Sequence, residues 1–497
     1  MPFVSVQFFV FLLLAFVLYW HLFSKKLFSQ NIFLLLAGFI FYAAWNPVFL
    51  LLLVFLSTSD YSIGLYIEKT NKQRHKFLLF LISIFINIGV LIIFKYLNFF
   101  ADSLVKLGSI LGFTLNIRYL NIILPLGLSF YVLKSLGYVI DVYKSRVHAE
   151  KNYLNHLLFV SFFPQLLAGP IDRAKNLLPQ LNKLRVFDYS LIVRGFQLIL
   201  VGLFKKIVIA DNLVPLVSAL FDTPEQAGSG QLILGTIAFA IQLYCDFSGY
   251  SDMAIGTGRL FGLESVKNFN RPYFSTSISG FWSRWHISLS FWFRDYVFLP
   301  IAWFLSDKMK KNKYFGVKTE FILYAIAVTI TFLLTGLWHG ANYTFIVWGL
   351  IFALFLIIVR AWQNKVRKLR KRLKIRKNNI VLTAISVLIT FSAVSFNWIF
   401  FRSEHLASAF ERINVIFTKT SRIGLPDWDA SISKPWLFLS CLMMFILMEI
   451  FSAGGNLDEK LYKSKTSIRW IFYFALACGI LFAGAFNLNQ GFYYSKF

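Results

Sequence analysis

Long runs of residues without a charged side chain constrain this chain more than any other feature. Residues 1–24 contain no Asp, Glu, Lys or Arg, and residues 27–59 form a second run that is long enough for two membrane spans. Further uncharged runs lie at residues 77–94, 321–338, 342–359, 378–401 and 470–495. A helix needs about 20 mostly apolar residues to cross a bilayer. The runs therefore predict a polytopic membrane protein.

Less regular apolar segments bring the prediction to about 11 or 12 hydrophobic elements, some of them re-entrant or interfacial. These segments are residues 121–142, 153–168, 191–210, 232–245 and 436–451. The predicted fold class is an all-α polytopic membrane protein. Residues 1–24 lack a basic n-region and a small-residue cleavage pattern, so we expect a first span rather than a cleavable signal peptide.

Composition excludes the other broad classes of protein. Hydrophobic residues make up 58% of the 497 residues and charged residues 15%. A single soluble domain cannot bury so much apolar surface, because soluble cores stop growing near about 250–300 residues. The 58 Phe, 22 Tyr and 13 Trp residues exclude a disordered chain, since such chains are poor in aromatic residues.

The positive charge lies in short loops between the apolar runs. The chain has 50 Lys+Arg against 23 Asp+Glu, a formal net charge of +27, and residues 360–377 contain no acidic residue. The positive-inside rule places such loops on the cytoplasmic side. Attraction to anionic lipid headgroups explains this charge without nucleic acid, so we expect membrane lipid and no nucleic acid among the partners.

Cysteines and common cofactor motifs give no indication of a metal or a tightly bound cofactor. Cys245, Cys441 and Cys478 lie far apart in apolar segments, and the sequence contains no CxxC. Walker A, GxGxxG and HExxH patterns are also absent from the sequence. We therefore expect no metal site and no bound cofactor.

The segment 244–300 departs from the pattern of an ordinary span, because it is rich in aromatic residues and yet carries many charges. Charged groups within hydrocarbon are costly unless they pair or line a wet cavity. Phe281, Trp285, Leu289, Trp292 and Tyr296 recur at helical spacing. This spacing predicts one amphipathic helix over residues 279–298 that lies flat or re-entrant at the membrane.

Two histidines are candidates for function. His339 lies between two apolar runs in the motif GLWHGAN, and Gly336 and Gly340 flank it. An imidazole at membrane depth is costly unless it is used, and its pKa suits a general base. A histidine at a span boundary can also simply sit among headgroups, which is our interpretation of His21. His286 lies beside the aromatic stripe, and an interfacial helix can carry a histidine by chance.

Acidic and basic side chains in the same segment allow two interpretations. Asp246 and Asp252 can form a proton or ion pathway, or they can pair structurally with Arg259, Arg271 or Arg284. Pairing is the favoured interpretation. Residues 268–273, which include Asn270 and Arg271, are predicted to form a rigid polar turn. Arg271 in this turn can bind either a phosphate or a carboxylate. The remaining histidines lie in loops or next to basic runs and receive no role; they are His75, His148, His156 and His405.

Several motifs together resemble the membrane-bound O-acyltransferase family. The motifs are FWSRWHISLSFWFRDYVFLP at 281–300, GLWHGANYTFIVWG at 336–349, QLYCDFSGYSDMAIG at 242–256, NFNRPY at 268–273 and FFPQLLAGPIDR at 162–173. The resemblance implies a ring of tilted helices around a thinned central chamber. It also implies one membrane domain with N-terminal spans over 1–240, a catalytic core with the interfacial helix over 241–350, and C-terminal spans over 378–497.

The resemblance is strongest to the bacterial branch that O-acetylates alginate or peptidoglycan, and it extends to the related branch that D-alanylates teichoic acid. It implies a protein of the bacterial cytoplasmic membrane. The implied donor is a cytoplasmic acyl thioester, either acetyl-CoA or an acyl carrier protein. The implied acceptor is an extracytoplasmic polysaccharide, reached with an SGNH-hydrolase-like partner. Asp172, in the GPIDR motif, favours the D-alanylating branch and leaves the subfamily open.

The resemblance also assigns residues. His339 matches the catalytic histidine of the family and His286 matches its second histidine. Aromatic, amide and charged side chains near them are weaker candidates for substrate binding; these are Asn342, Trp338, Trp285, Arg284, Arg294, Asp295, Asp246, Asn270 and Arg271. A transporter of a lipid-linked glycan and a non-catalytic scaffold remain alternatives to an acyltransferase.

Overall fold

The computed structural model of the chain describes residues 1–117, 122–221, 228–372, 379–419, 435–486 and 492. Almost all regular structure in these residues is helical. The exception is a small antiparallel hairpin, in which β1 (Lys313–Tyr314) pairs with β2 (Val317–Lys318).

The helices, in chain order, are α1 (Val6–Leu22), α2 (Leu27–Ala43), α3 (Val48–Lys69), α4 (Gln73–Leu91), α5 (Leu97–Ile110), α6 (Leu128–Tyr143), α7 (Tyr153–Ser161), α8 (Phe163–Leu166), α9 (Ala174–Leu181), α10 (Tyr189–Leu203), α11 (Asp211–Phe221), α12 (Ser229–Leu260), α13 (Ile278–Trp282), α14 (Ile287–Phe293), α15 (Leu299–Lys308), α16 (Thr319–His339), α17 (Tyr343–Arg372), α18 (Ile380–Arg402), α19 (Leu406–Thr418), α20 (Pro435–Phe451), α21 (Leu457–Lys463) and α22 (Thr466–Ala483). Single π-helical turns lie at Ile92–Tyr96, Phe204–Ala210 and Arg294–Phe298, and a 3₁₀ turn lies at Pro272–Phe274.

Seven helical segments in the described part of the chain are long and apolar enough to cross a membrane. Three shorter apolar helices, α1, α2 and α20, accompany them. Apolar side chains on these segments are exposed, as expected for helices that face lipid; Phe85 in α4 is 79% exposed and Ile380 in α18 is 83% exposed. The all-α polytopic class predicted from the sequence is confirmed.

Individual predicted segments differ from the observed helices. The apolar run 232–245 is part of the continuous 32-residue helix α12, which also contains the motif at 242–256. The motif overlaps the segment 244–300, which was predicted to depart from an ordinary span because it carries many charges, those of Asp246 and Asp252 among them. The helix continues through it because the acids find partners within the protein. The predicted element 153–168 is instead two short helices, α7 and α8, which break at Phe162.

Short polar side chains set several helix starts. Ser5 accepts from the backbone N–H of Phe8 before α1, and Asp188 accepts from Ser190 and Leu191 before α10. Such N-caps satisfy backbone donors that have no partner inside the helix. The caps fix where each apolar run becomes helical.

The described residues divide into two compact units. The first unit comprises the described residues within Met1–Val208, Asp246–Val266 and Ile450–Lys496; the second comprises those within Ile209–Cys245 and Lys267–Glu449. In the first unit, α10 and the C-terminal half of α12 cross at two pairs of glycines. A Cβ on Gly195 would meet the Gly256 carbonyl oxygen at 2.8 Å, and one on Gly249 would meet the Gly202 carbonyl oxygen at 2.7 Å. Small residues thus let the two helix backbones touch.

In the second unit, α16 and α17 form a helical hairpin that packs along its length, and α18 packs against α17. Gly349 on α17 lies directly against the carbonyl oxygen of Phe332 on α16, and Gly336 lies against that of Phe345. A Cβ at either glycine would overlap the facing carbonyl group. This close approach positions the turn between the helices, which contains the motif GLWHGAN.

Replacement of Gly349 by Ala is expected to destabilise the hairpin, because the new methyl group forces the two backbones apart. Overpacking of this kind costs about 1–3 kcal/mol. Gly89→Ala in α4 is the matched control, since a Cβ there meets nothing within 4 Å. Thermal melting of the detergent-purified protein measures both. Equal melting temperatures for the two variants would contradict the importance of this contact.

Candidate active site

His339 is the last residue of α16. The helix ends there because Gly340 takes an extended conformation, with φ −171° and ψ 155°, and its N–H donates to the Gly336 carbonyl at 3.4 Å. Gly340 also lies against the ring of Phe345, where a Cβ would overlap. The glycine therefore allows the chain to turn tightly and leaves His339 only 2% exposed.

Aromatic rings surround the His339 imidazole on several sides. The ring centroids of Trp348, Trp338 and Phe401 lie 4.9, 5.0 and 5.2 Å from it, and all three planes are steeply inclined to the imidazole plane. Trp348 comes from α17 and Phe401 from α18, so three helices build this cage. Such packing excludes bulk water from the ring and restricts its rotation.

The amphipathic helix predicted over 279–298 does not exist as one helix. The segment forms the short helices α13 and α14, which are separated at Ser283–His286, and then a π-helical turn. His286 stands at the break with φ 42° in the left-handed region, which non-glycine residues rarely adopt. Spacing alone predicted a continuous helix because the apolar stripe persists across the break.

Asn268 holds the broken segment in place. Its carbonyl oxygen accepts from the Ile287 N–H at 2.8 Å, and its Oδ1 accepts from the Ser288 N–H at 3.2 Å and from Ser288 Oγ at 2.9 Å. The Asn270 N–H donates to the Arg284 carbonyl at 2.9 Å. The NFNRPY and FWSRWH motifs therefore pack against each other through backbone hydrogen bonds.

The same amide oxygen fixes the tautomer of His286. Nδ1 of the imidazole lies 3.3 Å from Asn268 Oδ1. An amide oxygen only accepts hydrogen bonds, so Nδ1 must carry a proton. Burial lowers the pKa of the His286 imidazole far below its usual value, since the ring is 0% exposed. The ring is therefore neutral at neutral pH, with its lone pair on Nε2, rather than the protonated donor that oxyanion binding would need.

Trp338 lies between the two histidines. Its indole is 5.0 Å from the His339 ring and 6.1 Å from the His286 ring, measured between centroids. Residues separated by 53 positions in sequence thus share one aromatic neighbour within the second unit. Among the sequence-predicted residues, His339, His286 and Trp338 form the compact group.

Trp285 belongs to an aromatic core of the same unit. It is 1% exposed, and its ring lies 5.4 Å from Phe281, 5.2 Å from Trp398 and 5.1 Å from Phe269. Trp398 in turn donates from Nε1 to the Tyr273 hydroxyl at 3.2 Å. This core packs behind His286 and supports the unusual backbone there.

The Asn342 amide caps α17. Its Oδ1 accepts from the Thr344 N–H at 3.0 Å, and its Nδ2 donates to the Glu404 carbonyl at 2.6 Å. These contacts join the turn after His339 to the segment that follows α18. Asn342 therefore has a clear structural role in the hairpin turn, beside the substrate-binding role predicted from its place in the motif.

The predicted charged residues of the second unit lie mainly at its surface. Arg294 pairs with Asp295 at 2.7 Å and lies over the Phe291 ring at 4.3 Å. Arg271 also has a left-handed backbone, with φ 50°, and covers the Phe274 ring at 4.7 Å. In the paired segment described above, Arg284 is half-buried and Asn270 is exposed.

Asp246 and Asp252 belong to the first unit and form ion pairs with adjacent lysines of the π-helical turn at 204–210. Lys206 Nζ lies 2.6 Å from Asp246 Oδ1, and Lys205 Nζ lies 2.8 Å from Asp252 Oδ2. Arg259, one of the arginines predicted as a partner, pairs with Asp458 at 2.7 Å. Structural pairing was the favoured interpretation, and the expected arginine partners were wrong. The π turn supplies the lysines, and sequence periodicity gave no indication of it.

Sequence reasoning missed two further buried groups in the first unit. His156, to which the sequence assigned no role, is in α7, is 0% exposed and contacts Ser57 Oγ through Nδ1 at 3.3 Å. Asp172 of the GPIDR motif is 1% exposed and accepts from Gln165 Nε2 at 2.6 Å. Lys134 donates to the same Gln165 side chain at 2.5 Å. This hydrogen-bond network gives Asp172 a structural role, and that role does not depend on the subfamily to which the protein belongs.

Metal ligands are not grouped in the described part of the chain, where no three His, Cys, Asp or Glu side chains lie close enough to hold a metal ion. The candidate site itself contains two buried imidazoles, aromatic walls and backbone groups.

The protein has many apolar helices and a buried histidine where a helix ends. Comparison with known proteins identifies the family to which it belongs. The family model described as MBOAT, membrane-bound O-acyltransferase family, matches residues 144–401. This chain belongs to that family and is an acyltransferase of the membrane. The match contains both histidines and all five motifs that suggested the resemblance.

Curated relatives narrow the similarity to enzymes that modify polymers. The chain is 37% identical over 393 residues to a probable alginate O-acetylase of Pseudomonas aeruginosa, covering 78% of this chain and 70% of that protein. It is 33% identical over 413 residues to the peptidoglycan O-acetyltransferase of Helicobacter pylori, covering 78% and 73%. It is 30% identical over 290 residues to the teichoic acid D-alanyltransferase of Bacillus subtilis, covering 57% and 70%.

Lys206→Met is expected to destabilise the protein by about 3–5 kcal/mol, because it leaves the Asp246 carboxylate without its buried cation. The Lys206 and Asp246 side chains are only 5% and 3% exposed. Lys310→Met is the control, since its pair with Asp307 is exposed and should contribute little. Thermal and denaturant melting in detergent measure both variants, and an equal effect of the two would contradict a buried structural pair.

Proposed function

We propose that this protein transfers an acetyl group from acetyl-CoA in the cytoplasm to a polysaccharide or cell-wall polymer outside the cytoplasmic membrane of a bacterium. An SGNH-hydrolase-like partner completes the transfer to the polymer. His339 acts as the general base and His286 assists it. The observation that carries the proposal is the buried His339 imidazole, enclosed by aromatic rings and linked through Trp338 to a second buried histidine.

The similarity of the relatives supports acetyl as the group transferred. The alginate and peptidoglycan relatives are named as O-acetylating proteins and share 33–37% identity with the chain over 78% of its length. The D-alanyl relatives share 30% over a smaller part of the chain. D-Alanyl transfer from a carrier protein is therefore the alternative that the experiments below must separate.

The proposed reaction uses His339 to move one proton. The imidazole accepts the proton of an acceptor hydroxyl as the hydroxyl oxygen attacks the thioester carbonyl carbon. The C–S bond breaks when the tetrahedral intermediate collapses, and the imidazolium returns the proton to the leaving sulfur. The new C–O ester bond and the free thiol of coenzyme A balance the step.

The surroundings of His339 suit this role. Aromatic rings exclude water that would otherwise hydrolyse the thioester. Packing of the ring against Trp348 and Phe401 holds the base in one orientation, which reduces the entropy cost of reaching the reactive geometry.

His286 is proposed to act from the other side of Trp338. Because Asn268 fixes the proton on Nδ1, His286 presents Nε2 as a hydrogen-bond acceptor. An acceptor at this position can orient the hydroxyl group of the acceptor or the amide groups of the pantetheine arm. Asn268 is then a positioning residue, which acts on the substrate only through His286.

His339→Ala tests the proposal directly. Membrane vesicles that contain the protein and its partner receive labelled acetyl-CoA and the polymer acceptor. We expect polymer acetylation to fall by about 10²–10⁴-fold, the range for loss of a general base, while the melting temperature stays close to that of the unchanged protein. His21→Ala is the matched control, because His21 is exposed near the end of α1 and should leave acetylation unchanged.

Three outcomes would contradict the proposal. Acetylation near the level of the unchanged protein in His339→Ala would exclude His339 as the base. Transfer of D-alanine from a loaded carrier protein, without transfer from acetyl-CoA, would establish the alternative donor. Movement of a lipid-linked glycan without thioester cleavage would identify a transporter.

Asn268→Ala is expected to lower kcat by about 10–100-fold with a smaller change in KM, since His286 loses the contact that fixes its orientation. Ser288→Ala is the control, because it removes another donor to the same Asn268 oxygen and leaves the His286 contact intact. Steady-state kinetics with varied acetyl-CoA measure both constants. Equal losses in the two variants, together with lower melting temperatures, would mean that Asn268 only stabilises the fold.

A further inference from the structure

The short loop between α3 and α4 carries a cluster of positive charge where two membrane-spanning segments meet. Val48–Lys69 and Gln73–Ile110 are both long and apolar enough to cross a membrane, and residues 70–72 connect them. Residues 69–76 contain three Lys, one Arg and no acidic residue. The positive-inside rule places such a loop on the cytoplasmic side of the membrane. Acyl transfer at His339 gives this cluster no role.

Nearby acids do not neutralise the cluster. Within the described part of the chain, the four basic side chains of residues 69–76 form no ion pair. Glu68 is the adjacent acid in the sequence, but its carboxylate has other partners. Oε1 lies 2.8 Å from His148 Nδ1, and Oε2 accepts from the Ala149 N–H at 2.7 Å. The loop therefore presents unbalanced positive charge.

A groove of about 360 Å³ lies beside this loop, between α3 and α4. Both helices contribute to its lining, which consists of Tyr66, Thr70, His75, Leu78, Leu79 and Ile82. Residues three or four positions apart lie on the same face of a helix. The four lining positions of α4 have this spacing, and so do the two positions at the end of α3. Each helix therefore supplies one wall of the groove.

The groove changes from polar to apolar along its length. At the end next to the loop, Tyr66 and Thr70 carry hydroxyl groups and His75 carries an imidazole. Farther along α4, the lining is an apolar wall, made of Leu78, Leu79 and Ile82. This wall is not covered by protein, since Leu78 and Ile82 are exposed. A phospholipid has the same division between a phosphate headgroup and acyl chains.

We propose that the groove binds an anionic phospholipid of the cytoplasmic leaflet. The phosphate group lies among the basic side chains of residues 69–76, because Lys and Arg near the membrane surface attract anionic lipids. The hydroxyl groups of Tyr66 and Thr70 can donate to the phosphate oxygens. An acyl chain covers the apolar wall, which is thereby removed from water and detergent. The lipid joins the ends of α3 and α4 and stabilises the first unit.

The apolar wall distinguishes this ligand from a free phosphate ion, which would satisfy the cations and leave the wall uncovered. Covering apolar surface adds a favourable free energy that only a ligand with a hydrocarbon part gains. The cations distinguish it from a zwitterionic lipid. In such a lipid an ammonium group already balances the phosphate, so the unpaired charges of residues 69–76 gain less. Charge and shape together select an anionic lipid.

Thermal melting of the full-length protein in mixed micelles tests the site without reference to acyl transfer. Phosphatidylglycerol replaces phosphatidylcholine stepwise at constant total lipid and constant salt. A ligand that binds only the folded state raises the melting temperature logarithmically, here by about 1–3 °C for each tenfold rise in phosphatidylglycerol above its dissociation constant. Lys69→Gln combined with Lys72→Gln should raise the half-maximal fraction of phosphatidylglycerol about 30-fold, as expected for two charges at an anionic surface.

Lys311→Gln combined with Lys313→Gln is the matched control, since it removes the same charge from another exposed basic loop and should keep the lipid response. Thr70→Phe separates the groove from the charge, because the larger side chain fills the groove and all four cations stay. This variant should lose most of the lipid response. Native mass spectrometry gives a second readout, in which the unchanged protein retains phosphatidylglycerol and Thr70→Phe does not.

Three results would overturn the proposal. The first is equal melting of the unchanged protein in the two lipids. The second is a response that persists in Thr70→Phe and falls equally in the two lysine pairs, which would show diffuse attraction of basic loops to an anionic surface. The third is an equal rise with inorganic phosphate alone, which would assign the loop to a free anion.

Discussion

Polar groups inside apolar helices must find partners within the protein, because lipid offers none. The π-helical turn at residues 204–210 meets this requirement, since it brings Lys205 and Lys206 to the acidic side chains of α12. The same constraint explains why α12 continues as a helix through a motif with two acids. It also explains why three neutral side chains hydrogen-bond to the buried Asp60 carboxyl group.

The second unit meets this constraint in another way. His286 and His339 are both buried, and aromatic rings pack against both imidazoles. The strained backbone at His286 is held by hydrogen bonds to Asn268 and by the aromatic core behind it. Left-handed residues outside glycine cost about 1–3 kcal/mol and persist only where the surrounding structure fixes them. That cost is consistent with a residue whose orientation matters.

The sequence predicted the class of the fold and suggested the two histidines as candidate site residues. Both inferences were possible because apolar runs and a histidine between glycines are local features. It could not predict the break at His286, since the apolar stripe continues across it and the cause, Asn268, lies 18 residues away. It also could not assign partners to Asp246, because a π turn moves Lys206 off the expected helix face. Contacts between distant segments, such as Ser135 with Asp60, leave no periodic signal.

The first unit holds buried ionisable groups in ion pairs, whereas the second encloses His339 in aromatic rings. The proposed role of His339 as a base is consistent with this difference. An ion pair such as Lys206–Asp246 fixes the charge of both partners, and this suits a group that only supports the fold. The proposed general base must gain and lose a proton in each turnover. Aromatic walls exclude water and restrain the ring. The cage of Trp338, Trp348 and Phe401 is therefore consistent with the proposed role of His339 as a base.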